Sequence, residues 1–298
     1  MRISKKFALV ALVAFFFGVS ASSQIFYKIE GKDLKAPSYI FGTHHLAPLS
    51  IIDSIPGCRD AYNSSKQVVG EIDMTIEQMQ LAMKMQPYMM APQDSTLSKV
   101  ISAKDFERIN EEFKKWAPMP GMDLKMLDMM KPMVVTSMVS VQMVRDKLPG
   151  FNPTEQLDTY FQLQGKQTGK NIVGLETPEY QAGILYGTEP ISKQAKDLIE
   201  LLDNPEEGIV NSEKLNKAYL AQDLEALLEL AKSEDKESTP FMEILINKRN
   251  ADWLTKLPAM MAETPAFIAV GALHLPGKNG VLEGLRKAGY KVTPIRKK

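Results

Sequence analysis

Short apolar runs occur near the start and the end of the chain, and helical patterns fill the sequence between them. Six runs have the length and apolar content of strands: IFYKIE (25–30), SYIFGT (38–43), QVVGEID (67–73), NIVGLE (171–176), AFIAVGALH (266–274) and YKVTPI (290–295). The turn between the first two predicts a hairpin. Strands that alternate with helix-length segments predict an α/β fold.

The segments between these runs predict helices. Apolar residues recur at helical spacing in 96–116, and the step SAKD (102–105) predicts a break there. In 152–169 either Asn152 or Thr154 is expected to cap a helix. A long helical stretch follows from about Pro178 to Met261, with interruptions at 203–205 and 233–240. A helix over 279–289 is expected to end at Gly289.

The first 23 residues predict a signal peptide. A basic start, MRISKK, precedes an apolar run over Phe7–Val19, and Ala21 and Ser23 suit cleavage before Gln24. The run is too short to span a bilayer, which takes roughly 18 or more residues. We expect residues 24–298 to be an exported single domain, periplasmic or secreted, with no stable membrane span. An uncleaved anchor is the alternative.

The charge balance gives no support for a nucleic-acid partner. The chain has 36 basic and 36 acidic residues, and the leader holds three of the bases and none of the acids. Nucleic-acid binding favours a basic face, and the remaining chain is mildly acidic. The single cysteine, Cys58, excludes an intrachain disulfide, and no catalytic partner for it is visible.

Methionine is concentrated in one region. Fourteen of the 18 methionines lie between Met74 and Met143, which predicts a Met-rich helical insert at about 74–150. The first interpretation is a pliable apolar interior. The others are a groove or lid for varied apolar ligands and, more remotely, a Cu(I) site of thioethers.

All three histidines lie in two copies of one short motif. His44 and His45 end GTHH (42–45), and His274 ends GALH (271–274), so both copies contain G-x-x-H at the end of a predicted strand. Ligands and catalytic groups collect at strand ends in α/β sheets. Imidazole is a common ligand of divalent metals, so the motifs indicate a metal site. A structural role for each histidine is the alternative.

Carboxylates have a similar placement. Glu71 and Asp73 follow one apolar strand and share a face, and Glu176 follows another strand. Acids also favour helix N-termini, so each has the alternative role of a cap. We favour the cap role for Asp73 and the site role for Glu71 and Glu176.

Five segments together resemble the TraB/GumN family, which includes the Tiki Wnt-cleaving proteases and is similar in fold to ChaN and erythromycin-esterase proteins. They are GTHH (42–45), GEID (70–73), GLET (174–177), RNADW (249–253) and VGALHLPGKNGVLEGLRKAGYKV (270–292). The resemblance covers about residues 25–296. It implies a mixed α/β sheet of two pseudo-related halves flanked by helices, with each half giving one G-x-x-H.

The resemblance also implies which residues form the site. By position, the family's histidines match His45 and His274, its acids match Glu71 and Glu176, and its helix pair matches Arg249 and Asn250. Outside this set, Asp158 also falls where the family tends to have an aspartate. His44 occupies the variable position of the first motif, and with Asp73 and Asp158 it is expected beside the first ligands.

These assignments give a hypothesis of a metal-dependent peptidase. His45, His274 and Glu71 would hold a divalent Zn, Mn, Co or Fe ion that lowers the pKa of a water molecule. Glu176 would act as general base and then as acid to the leaving group. Arg249, oriented by Asn250, would steady the oxyanion or bind a substrate carboxylate. Glu71 and Glu176 could exchange roles. The alternative is a protein that captures peptides without cleaving them, and in both cases the partner is a peptide or protein.

Overall fold

A computed structural model describes residues 24–32, 34–234 and 242–296. The predicted signal peptide and most of the polar segment 233–240 lie outside these ranges. Among the described residues, no helix is both long and apolar enough to cross a bilayer.

All six predicted strands are present and form one mixed sheet, but the third, fourth and fifth end two or three residues before their predicted ends. They are β1 (Phe26–Glu30), β2 (Ser38–Thr43), β3 (Gln67–Gly70), β4 (Asn171–Gly174), β5 (Ala266–Gly271) and β6 (Lys291–Pro294). The strand order is β4-β3-β5-β2-β1-β6. The predicted β1–β2 hairpin is antiparallel, and β6 pairs with β1. The α/β class is thus confirmed, while the relation between two halves stays a prediction.

Helices flank this sheet and connect its strands. They are α1 (Ile51–Ser54), α2 (Cys58–Ser64), α3 (Gln78–Met89), α4 (Leu97–Val100), α5 (Ala103–Trp116), α6 (Pro132–Val144), α7 (Leu157–Gln167), α8 (Pro178–Gly187), α9 (Ile191–Asp203), α10 (Pro205–Leu220), α11 (Leu224–Glu234), α12 (Arg249–Glu263) and α13 (Val281–Lys287). Short 3₁₀ turns lie at Leu124–Leu127 and Ala272–His274, and a π-helical turn lies at Glu243–Lys248.

The helix boundaries confirm most of the helix breaks and ends expected from the sequence. The break before α5 is real, because the Ser102 side chain accepts a hydrogen bond from the backbone of Asp105 and caps the helix. Gly289 follows α13 with φ +92°, a conformation that favours glycine. The expected cap of α7 is wrong: the helix begins at Leu157, and Asn152 instead accepts two bonds from Thr154 in a local turn.

Four parallel strands bring the predicted site residues to one edge of the sheet. β5 lies between β3 and β2 and is parallel to both, and β4 is parallel to β3. The last residues of neighbouring strands are in register, with Thr43 beside Gly271 and Gly70 beside Gly174. The carboxyl ends of β2, β3, β4 and β5 therefore lie side by side, where α/β proteins place their ligands.

The core beneath this edge is aromatic and continuous. Phe161 of α7 packs against Phe267 of β5 with ring centroids 4.7 Å apart, and Phe41 of β2 lies 5.2 Å from Phe161. Trp253 of α12 is fully buried. Because protein interiors are closely packed, these contacts hold α7 and α12 firmly against the sheet.

A second hydrophobic core lies among the helices. It is formed by α4, α5 and α6 together with α9 and the start of α10, so the Met-rich segment shares its interior with later parts of the chain. Leu, Ile, Phe and Val fill most of it, and Met143 is its buried methionine. Five methionines are instead exposed: Met79, Met83, Met119, Met126 and Met129. The pliable-interior interpretation therefore describes only a part of this methionine-rich region.

Candidate functional site

Residues that are far apart in sequence meet at the carboxyl edge of the parallel strands. His45 follows β2 by two residues, Glu71 directly follows β3, and Glu176 follows β4 by two residues. His274 ends the 3₁₀ turn that follows β5, and Arg249 is the first residue of α12. A backbone hydrogen bond from Glu176 N–H to the Glu71 carbonyl (2.8 Å) extends the pairing of β3 and β4 past their ends.

The Arg249 guanidinium lies between the two glutamates. Its Nε and Nη2 donate to the two oxygens of Glu176 at 2.8 and 2.9 Å, and Nη2 also donates to Glu71 Oε2 at 2.6 Å. The Arg249 side chain is 5% exposed and that of Glu176 is 0% exposed. A buried cation needs such partners, because desolvation is otherwise expensive. The bidentate pair with Glu176 fixes the plane of the guanidinium.

Trp253 closes the inner side of this cluster. Its Nε1 donates to Glu176 Oε1 at 2.8 Å, and the Arg249 Cζ lies 5.0 Å from the centroid of its ring. The ring of His274 packs on it with centroids 4.2 Å apart. Arg249 and Trp253 are four residues apart on α12 and therefore project from the same face.

Asn250 determines which nitrogen of His274 carries the proton. Its Nδ2 donates to the carbonyls of His274 (3.1 Å) and Asn279 (2.9 Å), so its Oδ1 is an acceptor facing His274 Nδ1 at 2.7 Å. Nδ1 therefore holds the hydrogen, and Nε2 presents a lone pair. Burial lowers the pKa of His274 to about 4, so the ring is neutral at pH 7. The Arg249 Nη1 lies 3.2 Å from that lone pair.

Glu71 stays ionised at neutral pH. Burial acts to raise its pKa, but His274, Arg249 and the hydrogen bonds to the carboxylate outweigh burial and lower the pKa to about 2. Besides Arg249, it accepts bonds from Gly271 N–H (2.8 Å) and from Gln181 Nε2 (2.8 Å). Its side chain is 21% exposed, so it is the carboxylate of the pair that solvent reaches.

His45 belongs to a separate pair at the same edge. Its Nδ1 lies 3.3 Å from Asp158 Oδ2, and Thr43 Oγ1 donates to the other oxygen of Asp158. The Asp158 carboxylate raises the pKa of His45 above its ordinary value. The imidazole is 71% exposed, so water screens this effect. With Nδ1 facing the carboxylate, Nε2 is the nitrogen left for other contacts.

His44 and Asp73 make contacts of their own outside these two groups. The His44 ring packs on Tyr219 with centroids 5.1 Å apart, and burial lowers its pKa to about 4. Asp73 accepts bonds from the backbone and the hydroxyl of Thr75, both at 2.7 Å. Such local bonds stabilise the turn after β3. The next helix, α3, begins only at Gln78 and has Glu77 at its N-cap position, so the predicted role of Asp73 as a helix cap is wrong.

Two contacts in the cluster involve residues for which the sequence predicts no role. Trp253 could have been found, because it stands four residues after Arg249, a spacing that puts two side chains on one helix face. Gln181 gives no such signal, because its contact with Glu71 depends on the tertiary packing of α8, which lies against α3 and the π-helical turn.

The donor set has some features of a metal site and lacks others. His274 Nε2 has a lone pair 3.8 Å from Glu71 Oε1, and each of His45 and His274 has an acceptor at Nδ1, as metal-binding histidines do. Within the described ranges, however, no three His, Cys, Asp or Glu side chains are grouped closely enough to hold an ion. The metal ligands thus stay a prediction.

Comparison with known proteins assigns the chain to a family. The search of curated proteins and the search of solved structures return no match. A family model described as the TraB/PrgY/gumN family matches residues 25–294. The match includes every element of the sheet and all the site residues described above, and the chain therefore belongs to the TraB/PrgY/gumN family.

Proposed function

We propose that this protein is a divalent-metal-dependent hydrolase that cleaves peptides in the cell envelope. One observation carries the proposal: a neutral imidazole, His274, presents its Nε2 lone pair beside the ionised Glu71 carboxylate at the carboxyl edge of the sheet. Neutral imidazole and carboxylate are the donors that Zn, Mn, Co and Fe ions take together.

His45, Glu71 and His274 are the proposed ligands. Such an ion would supply Lewis acidity, which lowers the pKa of a water molecule towards neutrality. Glu71 suits this role better than Glu176, because its side chain is 21% exposed and that of Glu176 is 0% exposed. Asn250 would keep His274 in the tautomer that a ligand needs, and Asp158 would do the same for His45.

Arg249 is proposed to stabilise the negative charge that develops on the oxygen of a peptide carbonyl during hydrolysis. Its guanidinium plane is held in advance by the bidentate pair with Glu176 and by packing against Trp253. Glu176 would then position Arg249. In the alternative role of general base, it would have to give up a hydrogen bond from Arg249 or Trp253.

Peptide capture without cleavage is the second candidate, and the position of Arg249 favours it. The guanidinium already donates to Glu71 Oε2 and lies 3.2 Å from His274 Nε2. It therefore stands where a metal ion would have to contact these two atoms. In this case the cluster would bind a peptide by hydrogen bonds alone.

Metal analysis of the purified protein tests the proposal. We expect about one equivalent of metal in the wild type. His45→Ala and His274→Ala should each lose both the metal and the cleavage of peptides. His44→Ala is the matched control, because this third histidine packs on Tyr219, and it should keep metal. Circular dichroism checks that each variant folds.

Other outcomes would reject the hydrolase. Full metal content in both ligand variants would refute the ligand assignment. A wild type that takes up no Zn²⁺, Mn²⁺ or Co²⁺ and releases bound peptide unchanged would establish capture instead.

A further inference from the structure

Positive charge is concentrated in residues 278–298 of a chain whose formal net charge is zero. Residues 278–298 contain seven basic residues and one acidic residue, Glu283, whereas the whole chain has 36 of each sign. Such a concentration creates a local positive potential that attracts anions.

A cavity of about 430 Å³ lies within this basic region, a size typical of ligand sites. It is bounded by the start of α11, the loop that follows His274, α13 and the end of β6. Its floor is apolar and well buried, with Tyr27, Leu224, Leu275 and Leu282 each at most 4% exposed.

Cations outnumber acids around the cavity. The basic residues that line it are Lys278, Arg286, Lys287 and Arg296, and the acidic ones are Glu225 and Glu283. Glu283 is shared, because its carboxylate lies 3.8 Å from Arg286 and 3.9 Å from Lys287. These ion pairs are long and solvent-exposed, so they are weak and leave both cations able to bind an added anion.

The cavity is joined to the candidate site through its loop. Leu275, Pro276, Gly277 and Lys278 line the cavity, and the first of these directly follows His274. Asn250 donates to the carbonyls of both His274 and Asn279, so a single side chain links the two ends of this loop. A ligand in the cavity would therefore lie next to a segment that the site itself holds in place.

We propose that this cavity binds an acidic, partly apolar segment of the peptide on which the site acts, which rests on the proposed function. Carboxylates of such a segment would pair with Lys278, Arg286 and Lys287, and its apolar side chains would cover Tyr27 and Leu282. An anionic membrane surface fits less well, because a flat surface does not reach an apolar floor inside a concave cavity.

Equilibrium binding tests the inference without requiring turnover. The probe is a fluorescein-labelled peptide that alternates glutamate with leucine, measured by anisotropy on chelator-treated protein. We expect Lys278→Glu and Arg286→Glu each to weaken binding by about tenfold, and Lys278→Gln by less. Lys104→Glu, on the exposed side of α5, makes the same charge change elsewhere and should leave binding unchanged.

Three results would overturn it: equal binding of a peptide with lysine in place of glutamate, unchanged binding in both charge-reversal variants, or binding to phosphatidylglycerol vesicles but not to the peptide. Because no cleavage is measured, the outcome is separate from that of the proposed function. In a separate assay, binding of the peptide without its cleavage by metal-loaded protein would reject the hydrolase and keep the cavity.

Discussion

The glycines of the two G-x-x-H motifs have a packing role that explains why no larger residue stands there. A Cβ on Gly42 would lie 3.0 Å from the Ala272 backbone and 2.8 Å from the Leu275 side chain, so the end of β2 touches the turn that carries His274. A Cβ on Gly271 would lie 3.1 Å from Glu71 Oε1, which its own N–H binds. The first motif thus packs against the turn of the second, and the second motif holds Glu71.

We expect Gly42→Ala to destabilise the protein by about 1–3 kcal/mol, because the backbone of Ala272 cannot move aside cheaply. Urea unfolding measures this change. Gly187→Ala is the control, since a Cβ at this helical position meets nothing within 4 Å, and it should be neutral or slightly stabilising. Equal stabilities for the two variants would show that the close approach at Gly42 carries no weight.

Helix starts place several of the site's side chains. The π-helical turn Glu243–Lys248 runs directly into α12, and the carbonyl of Leu245 in that turn accepts a bond from Arg249 at 3.0 Å. Such π-helical turns occur frequently at functional sites. On α8, Thr177 caps the helix by accepting a bond from Tyr180 N–H, and the first turn thereby holds Gln181 against Glu71.

Removal of the Thr177 cap distinguishes an effect on the candidate site from an effect on stability alone. Thr177→Ala and Ser102→Ala should each destabilise the protein by about 1 kcal/mol, because both remove an N-cap oxygen. Only Thr177→Ala should also reduce metal uptake or peptide affinity, since α5 has no residue in the cluster. Thermal denaturation and isothermal titration give the two quantities, and parallel effects in both variants would contradict the link through Gln181.

The sequence predicts the elements better than their contacts. The strands are readable because buried parallel strands have short β-branched runs, and the α5 break is readable because Ser102 is a good cap. Residues 71, 176, 249 and 274 could be recognised as a set, but not their arrangement. That Arg249 lies between both glutamates and beside His274 follows from the order β4-β3-β5, which no local pattern encodes.

Ionisable groups whose pKa changes on folding make the stability of the whole molecule depend on pH. For His274 the folded pKa of about 4 lies below the unfolded value of 6.5, so the unfolded chain binds more protons between these values and stability falls as pH falls. Glu71 acts in the same direction, because folding lowers its pKa from 4.5 to about 2. His45 acts in the opposite direction: its stabilising effect is present at low pH and is lost as pH rises through its raised pKa, and its exposure weakens this effect.

We therefore expect the free energy of unfolding to decrease between pH 7 and pH 4, with His274 contributing on the order of 3 kcal/mol. Urea unfolding in chelating buffer at several pH values measures this slope. His274→Asn should have a shallower slope because the titrating ring is gone. A wild-type stability that does not change over this range would contradict the neutral, buried state of His274.

The central position of β5 has a consequence for how the protein is made. This strand is the fifth of the six to leave the ribosome, yet within the described residues it alone joins β3–β4 to β2–β1 in the sheet. Until residues 266–271 emerge, the earlier strands form two separate pairs with no shared ladder. Before β5 emerges, His45 and the two glutamates therefore lie on strand pairs that are not connected in a sheet. A stop codon before residue 266 would leave these two strand pairs unjoined.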